Sequence, residues 1–214
     1  MANNPSRELI LERIRAGLRV PVAAPGPSPA LTDAFPAIEN PLERFQTEAK
    51  ANLMECFLTD DAAASANQLA ATLNSLPEGE IFLQDAPSLR RLMEMANSRR
   101  PLRWSSEGAP REASQATITL AEALVAQTGS IFVTAQCGGR GASVVAPCHI
   151  VFATTSQIVP DLHTALSNAQ QQGKLKGNSF ACMISGSSRT ADIEKILVQG
   201  AHGPIRFVVI LQKS

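Results

Sequence analysis

The sequence predicts an α/β fold: a mostly parallel, twisted sheet flanked by helices, with one local antiparallel hairpin. Three observations lead there. Short apolar runs alternate with amphipathic helical stretches in the first and last thirds, the order that builds parallel strands with crossover helices. In the middle, two β-prone runs, Ala123–Ala126 and Ile131–Thr134, flank a Thr128-Gly129 turn, which is a hairpin pattern. The chain has 214 residues, 44 % hydrophobic and 18 % charged, which suits one domain with extensions. A domain of that size buries about 70 % of its unfolded surface and needs no disulfide or metal to be stable.

Taken in order, Ser6 can cap a helix carrying Ile10, Leu11, Ile14 and Leu18, which sets residues 1–19 apart as an N-terminal amphipathic helix. Residues 20–39 read as a proline-rich linker, with five prolines between Val20 and Pro36. The helix stripe must be buried on its own domain, on a sister subunit in a homo-oligomer, or on another protein. The main α/β domain spans 40–214. Leu42, Phe45, Ala49 and Leu53 recur at helical spacing, and an alanine-rich helix follows from Ala62 to Leu76. Next come a strand at Ile81–Leu83, a helix at Ser88–Ser98 and a strand at Leu102–Trp104. After the hairpin, a strand covers His149–Ala153, and a helix from Pro160 to Gln172 is closed by Gly173. A strand at Phe180–Ile184, a helix at Thr190–Val198 ended by Gly200, and a strand at Phe207–Leu211 complete the chain.

Composition narrows the function. Nineteen Lys and Arg balance nineteen Asp and Glu, which argues against a binder of nucleic-acid phosphates. The cluster Arg90, Arg91, Arg99, Arg100 and Arg103 reads as a solvated helix face. Eight Phe, one Trp and no Tyr leave few stacking platforms for single strands. No apolar leader and no membrane-length apolar run are visible, and the four cysteines are scattered, so reduced thiols and a cytoplasmic location are expected.

The richest constellation is Ser185, Gly186, Ser187, Ser188, Arg189 and Thr190, between a strand and the helix expected after it. Ligands of open α/β sheets bind beyond the carboxyl ends of strands. Hydroxyls, amides freed by glycine, a guanidinium and a helix N-terminus would suit a small anionic ligand there. The same residues also make an ordinary helix start, with Thr190 as cap, Asp192 and Glu194 on the dipole, and Arg189 in a structural ion pair. Both readings stand. Thr128, Gly129 and Ser130, with Gly139 and Arg140 of the glycine loop 138–141, are candidates for the other wall of the pocket. His202, ahead of the last strand, either faces that pocket or fixes its turn. The glycines match neither a dinucleotide fingerprint nor a phosphate-binding P-loop. Cys137, Cys148 and His149 lack metal-ligand spacing, and no Gly-x-Ser-x-Gly elbow occurs. No cofactor and no metal are expected.

The stretch SGSSRTADIEKILVQGAHGPIRFVVIL closely resembles the C-terminal signature of the lactate utilization protein C family, the LUD-domain proteins. ALVAQTGSIFV and HIVFATTSQIVPDLHTAL resemble that family's central Thr-Gly segment and its histidine-strand-helix segment, so the likeness covers nearly the whole chain. It implies a fold similar to phosphosugar isomerases, CoA transferases and a formyltetrahydrofolate cyclo-ligase. It also implies a role in converting L-lactate to pyruvate beside two iron–sulfur partner proteins, with this chain as a non-redox component. The alternative is a stand-alone small-molecule enzyme of isomerase, transferase or cyclo-ligase type acting on an anionic substrate. Family members often carry an acid before the Thr-Gly pair, where this chain has Gln127, which does not titrate. Any proton-accepting role of that acid is lost here or shifts to Glu122.

Overall fold

The computed structural model describes residues 5–19, 36–108, 112–190, 198–200 and 203–214. The chain divides into two compact units, Met1–Pro36 and Ala37–Ser214. In the first, α1 (Pro5–Leu18) has Glu8 in its first turn and Arg15 in its last, each suited to the helix dipole. Proline opens this helix, so Ser6 lies inside its first turn and not before it as expected.

The second unit begins with α2 (Pro41–Ala51), capped by Asn40, whose side chain accepts from the Glu43 amide at 3.2 Å. The helix stops short of Leu53, which has φ +60° and is exposed, so Leu53 is no part of the buried stripe. Strand β1 (Glu55–Thr59) follows, where the sequence pattern gave no strand. Then come α3 (Ala62–Asn74), β2 (Ile81–Leu83), α4 (Pro87–Ala96) and β3 (Leu102–Trp104), all in the expected order. Another unexpected strand, β4 (Ala116–Leu120), alternates Thr117 and Thr119 with Ala116 and Ile118 and so lacks an apolar run.

The expected hairpin is β5 (Ala123–Val125) and β6 (Ser130–Thr134), antiparallel with Val125 opposite Ser130. Next are β7 (Cys148–Thr154), β8 (Ile158–Val159), α5 (Leu162–Gln171) and β9 (Ala181–Ile184). Two two-residue strands, β10 (Arg189–Thr190) and β11 (Val198–Gln199), pair antiparallel, and β12 (Arg206–Gln212) ends the fold. The helix expected over Thr190–Val198 is thus replaced at both ends by a strand pair, and its interior lies outside the described residues.

Six strands form one wholly parallel sheet in the order β1-β12-β7-β4-β2-β3. Its central strands, β7 and β12, are buried almost end to end, as both faces of a parallel sheet require. Cys148, Ile150, Val208 and Ile210 pack on one face with Leu69, Leu73, Leu89 and Leu92 of α3 and α4. On the other face Val151, Ala153, Phe207 and Val209 meet Phe45 and Ala49 of α2 and Leu124, Ile131 and Val133 of a second sheet. That smaller sheet has the order β8-β5-β6-β9 and holds α5 on its far side through Ala123, Val125, Phe132, Ala165 and Ala169.

Three of the five clustered arginines are tied into this framework. Arg90 pairs with Asp85 at 2.6 Å, and Arg103 with Glu80 at 2.7 Å. Arg100 donates to the Leu73 and Leu76 carbonyls at the end of α3, at 2.8 and 2.6 Å.

Candidate functional site

Strand direction decides where the predicted site residues fall. β5 starts beyond the carboxyl end of β4 and runs back across the parallel sheet toward its amino edge, where the hairpin turns. β6 returns, and β9, antiparallel to β6, runs to the amino edge again. The loop after β9 therefore sits beside the amino ends of the parallel strands and not, as expected, their carboxyl ends.

There it is closely packed. The Ser130 hydroxyl bonds those of Thr128 and Ser185 at 2.7 and 2.6 Å, and Asn52, just ahead of β1, donates to the Thr128 carbonyl at 2.8 Å. Gly129 (φ +60°) lies against the backbone of Glu48 and Ala49. Gly186 (φ +97°) lies against the Asn52 carbonyl, which a Cβ would approach to 2.2 Å. Only glycine permits both the φ and the approach. Ser188 donates its amide to the Pro204 carbonyl at 3.0 Å and accepts from the Gly200 amide at 2.7 Å. Ser187 is buried, and its hydroxyl has no partner among the described residues. Arg189 is exposed, Thr190 is seen as backbone in β10, and His202 lies outside the described residues.

Gly139 and Arg140 are not with them. They follow β6 at its far end, where the Gly139 amide donates to the Ala135 carbonyl at 2.9 Å and Arg140 reaches the Ser179 carbonyl at 2.8 Å. Four β6 residues, about 13 Å of strand, separate this loop from Ser130 and Ser185. The predicted pocket wall is thus split between two edges.

The carboxyl edge of the parallel sheet carries a different site. Beyond β4, the Glu122 amide donates to the Phe132 carbonyl at 2.8 Å, fixing the residue against the hairpin. Its carboxylate accepts from Lys174 at 2.7 Å and from the Thr134 hydroxyl at 3.0 Å, with the Cys137 thiol 3.8 Å away. Lys174 is delivered there by Gly173, which turns the chain at φ +70° after α5, while the Lys174 amide bonds the Ala169 carbonyl at 2.8 Å. Beyond β7, Gln157 accepts from the Thr154 amide and donates to the Ala121 carbonyl, tying the two strand ends together. A cleft of about 260 Å³ opens over these groups, walled by Ala123, Phe132, Val159 and Ala165 and edged by Asn168 and Gln172. The Glu122 side chain is 11 % exposed and that of Lys174 38 %. An ammonium has three donors, and among the described residues one is used here, so Lys174 can hold an anion while Glu122 accepts a further proton donor.

The cleft lies between α5 and the smaller sheet, beside the residues that follow β4 and β7. The hydroxyl- and glycine-rich loops stood out in the sequence, whereas Lys174 gave no signal because only the tertiary fold brings it to Glu122. His149 is wholly buried in β7. Its Nε2 lies 2.9 Å from the Thr119 hydroxyl and its ring meets Phe207 edge-on, and burial pushes its imidazole down to about 3. Burial raises the Cys56 and Cys148 thiols to about 11, so both stay protonated near neutral pH. Among the described residues, no three His, Cys, Asp or Glu side chains are grouped to hold a metal ion.

Residues 42–212 match the LUD domain family. The chain is similar to lactate utilization protein C 1 of Bacillus mycoides, with 35 % identity over 103 residues, 47 % of this chain and 44 % of that protein. It is also similar to lactate utilization protein C of Bacillus subtilis, with 32 % identity over 127 residues, 50 % of this chain and 52 % of that one. The matched stretch spans about half the length of these relatives. Among solved structures, a DUF162 family protein from Deinococcus radiodurans shares the fold with a TM-score of 0.60 and 18 % identity, covering 80 % of this chain and 96 % of that one. The family match runs through both sheets and both edges of the fold: the chain belongs to the LUD domain family.

Proposed function

We propose that this chain serves lactate utilization, as a cytoplasmic component without a redox centre of its own that works beside iron–sulfur proteins in oxidising L-lactate to pyruvate. The observation that carries this reading is the family match, joined to relatives named lactate utilization protein C. The four cysteines have no cluster-binding spacing, which leaves the electrons of the oxidation to partners. Deleting the gene should abolish growth on L-lactate as sole carbon source while leaving growth on pyruvate intact. Unimpaired growth on lactate would refute the reading.

The N-terminal helix and its proline-rich linker are the proposed attachment to those partners. Exposed Leu9, Ile10, Ile14 and Leu18 on α1 support this. A chain lacking residues 6–36 should fold but fail to co-purify with the iron–sulfur proteins, and undiminished co-purification would remove that route. A second reading, a small-molecule enzyme in its own right, is favoured by the cleft over Glu122 and Lys174 at the carboxyl edge. Turnover of a small organic acid by the purified chain alone, without any partner, would establish it.

A further inference from the structure

The cleft specifies a ligand by its size and by the order of its polar groups. At about 260 Å³ it falls just below the roughly 300–1,000 Å³ of pockets that enclose drug-sized molecules, so a nucleotide is too large and a short organic acid fits. Lys174 offers two donors for a carboxylate. Glu122 sits 2.7 Å from that ammonium and is held in place by Thr134. A carboxylate so held accepts a hydrogen bond from a neighbouring hydroxyl. A keto oxygen at the same spot would face it lone pair to lone pair. A ligand ammonium there would be drawn to the Glu122 carboxylate as well as repelled by Lys174, so the side chains disfavour the keto oxygen and admit a hydroxyl or an ammonium. Ala123, Phe132, Val159 and Ala165 leave an apolar wall for a short alkyl group.

We propose that the Glu122–Lys174 cleft is a binding site for a short 2-hydroxy carboxylate, with the ligand carboxylate on Lys174, its hydroxyl donating to Glu122 and its alkyl group on the wall of Phe132 and Val159. The site selects the hydroxy acid over the corresponding keto acid. The assignment deepens the lactate-utilization reading and rests on it for the identity of the acid. The cleft's preference for a hydroxyl over a keto oxygen beside a carboxylate comes from the side chains alone.

The test is calorimetric or NMR titration of the full chain with L-lactate, 2-hydroxybutyrate and pyruvate. The two hydroxy acids should bind, and pyruvate should bind at least about tenfold more weakly, which is the loss of one hydrogen bond to a charged group. Glu122→Gln keeps the shape and Lys174→Met removes the charge, and each should weaken L-lactate by at least about tenfold. Arg44→Ala, an exposed charge on α2, should leave binding unchanged. No binding of any hydroxy acid up to about 10 mM would overturn the proposal, as would binding that neither cleft variant alters or that pyruvate matches. If the gene is needed for growth on lactate and the titrations are flat, only the cleft assignment fails. If the hydroxy acids bind and growth is unaffected, the lactate-utilization reading fails and the cleft stands.

Discussion

At the amino edge of the parallel sheet, the hydroxyls of Thr128, Ser130 and Ser185 bond one another while Gly129 and Gly186 press onto the end of α2. At the carboxyl edge, Glu122 and Lys174 bond each other in the lining of a cleft of about 260 Å³. Both regions are polar and both join the two sheets, but in the first the hydroxyls bond one another and glycine meets backbone, whereas a cleft adjoins the second. Hydroxyls, glycines and a neighbouring arginine suggest an anion site when read along the sequence. In the folded protein the same glycines let backbone meet backbone. Substitutions at the amino edge should therefore change stability, and those at the carboxyl edge should change binding.

The largest effect is expected at Gly186. A methyl there would meet the Asn52 carbonyl at 2.2 Å on a backbone with φ +97°, so Gly186→Ala should cost about 3 kcal/mol. Urea unfolding with an unchanged slope would measure it, and a loss below about 1 kcal/mol would show that this edge yields.

An effect of comparable size depends on pH. His149, one residue inside the amino end of β7, is neutral in the folded protein because burial lowers its pKa from 6.5 to about 3. Between those values the unfolded chain binds a proton there that the folded chain does not. Stability is therefore complete above pH 6.5 and is lost as pH falls toward 3, by up to about 1.4 kcal/mol per pH unit. His149→Leu should flatten that slope, and unfolding curves from pH 7 to 4 that match the parent's would contradict it.

A smaller effect is expected at Ser130, the middle hydroxyl of the chain at the amino edge. Ser130→Ala strands its two neighbours and should cost about 1–2 kcal/mol while leaving L-lactate titrations as they were. Altered lactate binding in this variant would break the division between the edges. The smallest effect is expected at the exposed Arg44–Glu48 pair on α2, where Arg44→Ala should move the unfolding midpoint by less than about 0.5 kcal/mol.

Much of the fold was legible in the sequence. The apolar runs of β2, β7 and β12, the turn between β5 and β6, and the glycine after α5 each state a local preference strong enough to stand alone. β4 was not legible, because Thr117 and Thr119 interrupt its apolar pattern and are buried against His149 only in the folded sheet. β1 was hidden because Leu53 extends the helical spacing of α2 on paper, whereas the chain turns at φ +60° there. The LUD signature was also legible, since it is a string of residues and needs no geometry.

What the sequence determined by itself was the class of fold and the hairpin, which follow from periods of a few residues, and the family, which follows from a signature string. The tertiary structure decided which end of the parallel strands each loop meets. That depends on β5 reversing direction after β4 and on β9 pairing antiparallel to β6, choices made across the sheet between residues tens of positions apart. By the same reversal, Ser185 and Gly186 become packing at the amino edge, and Lys174, 52 residues from Glu122 in sequence, comes to 2.7 Å from it.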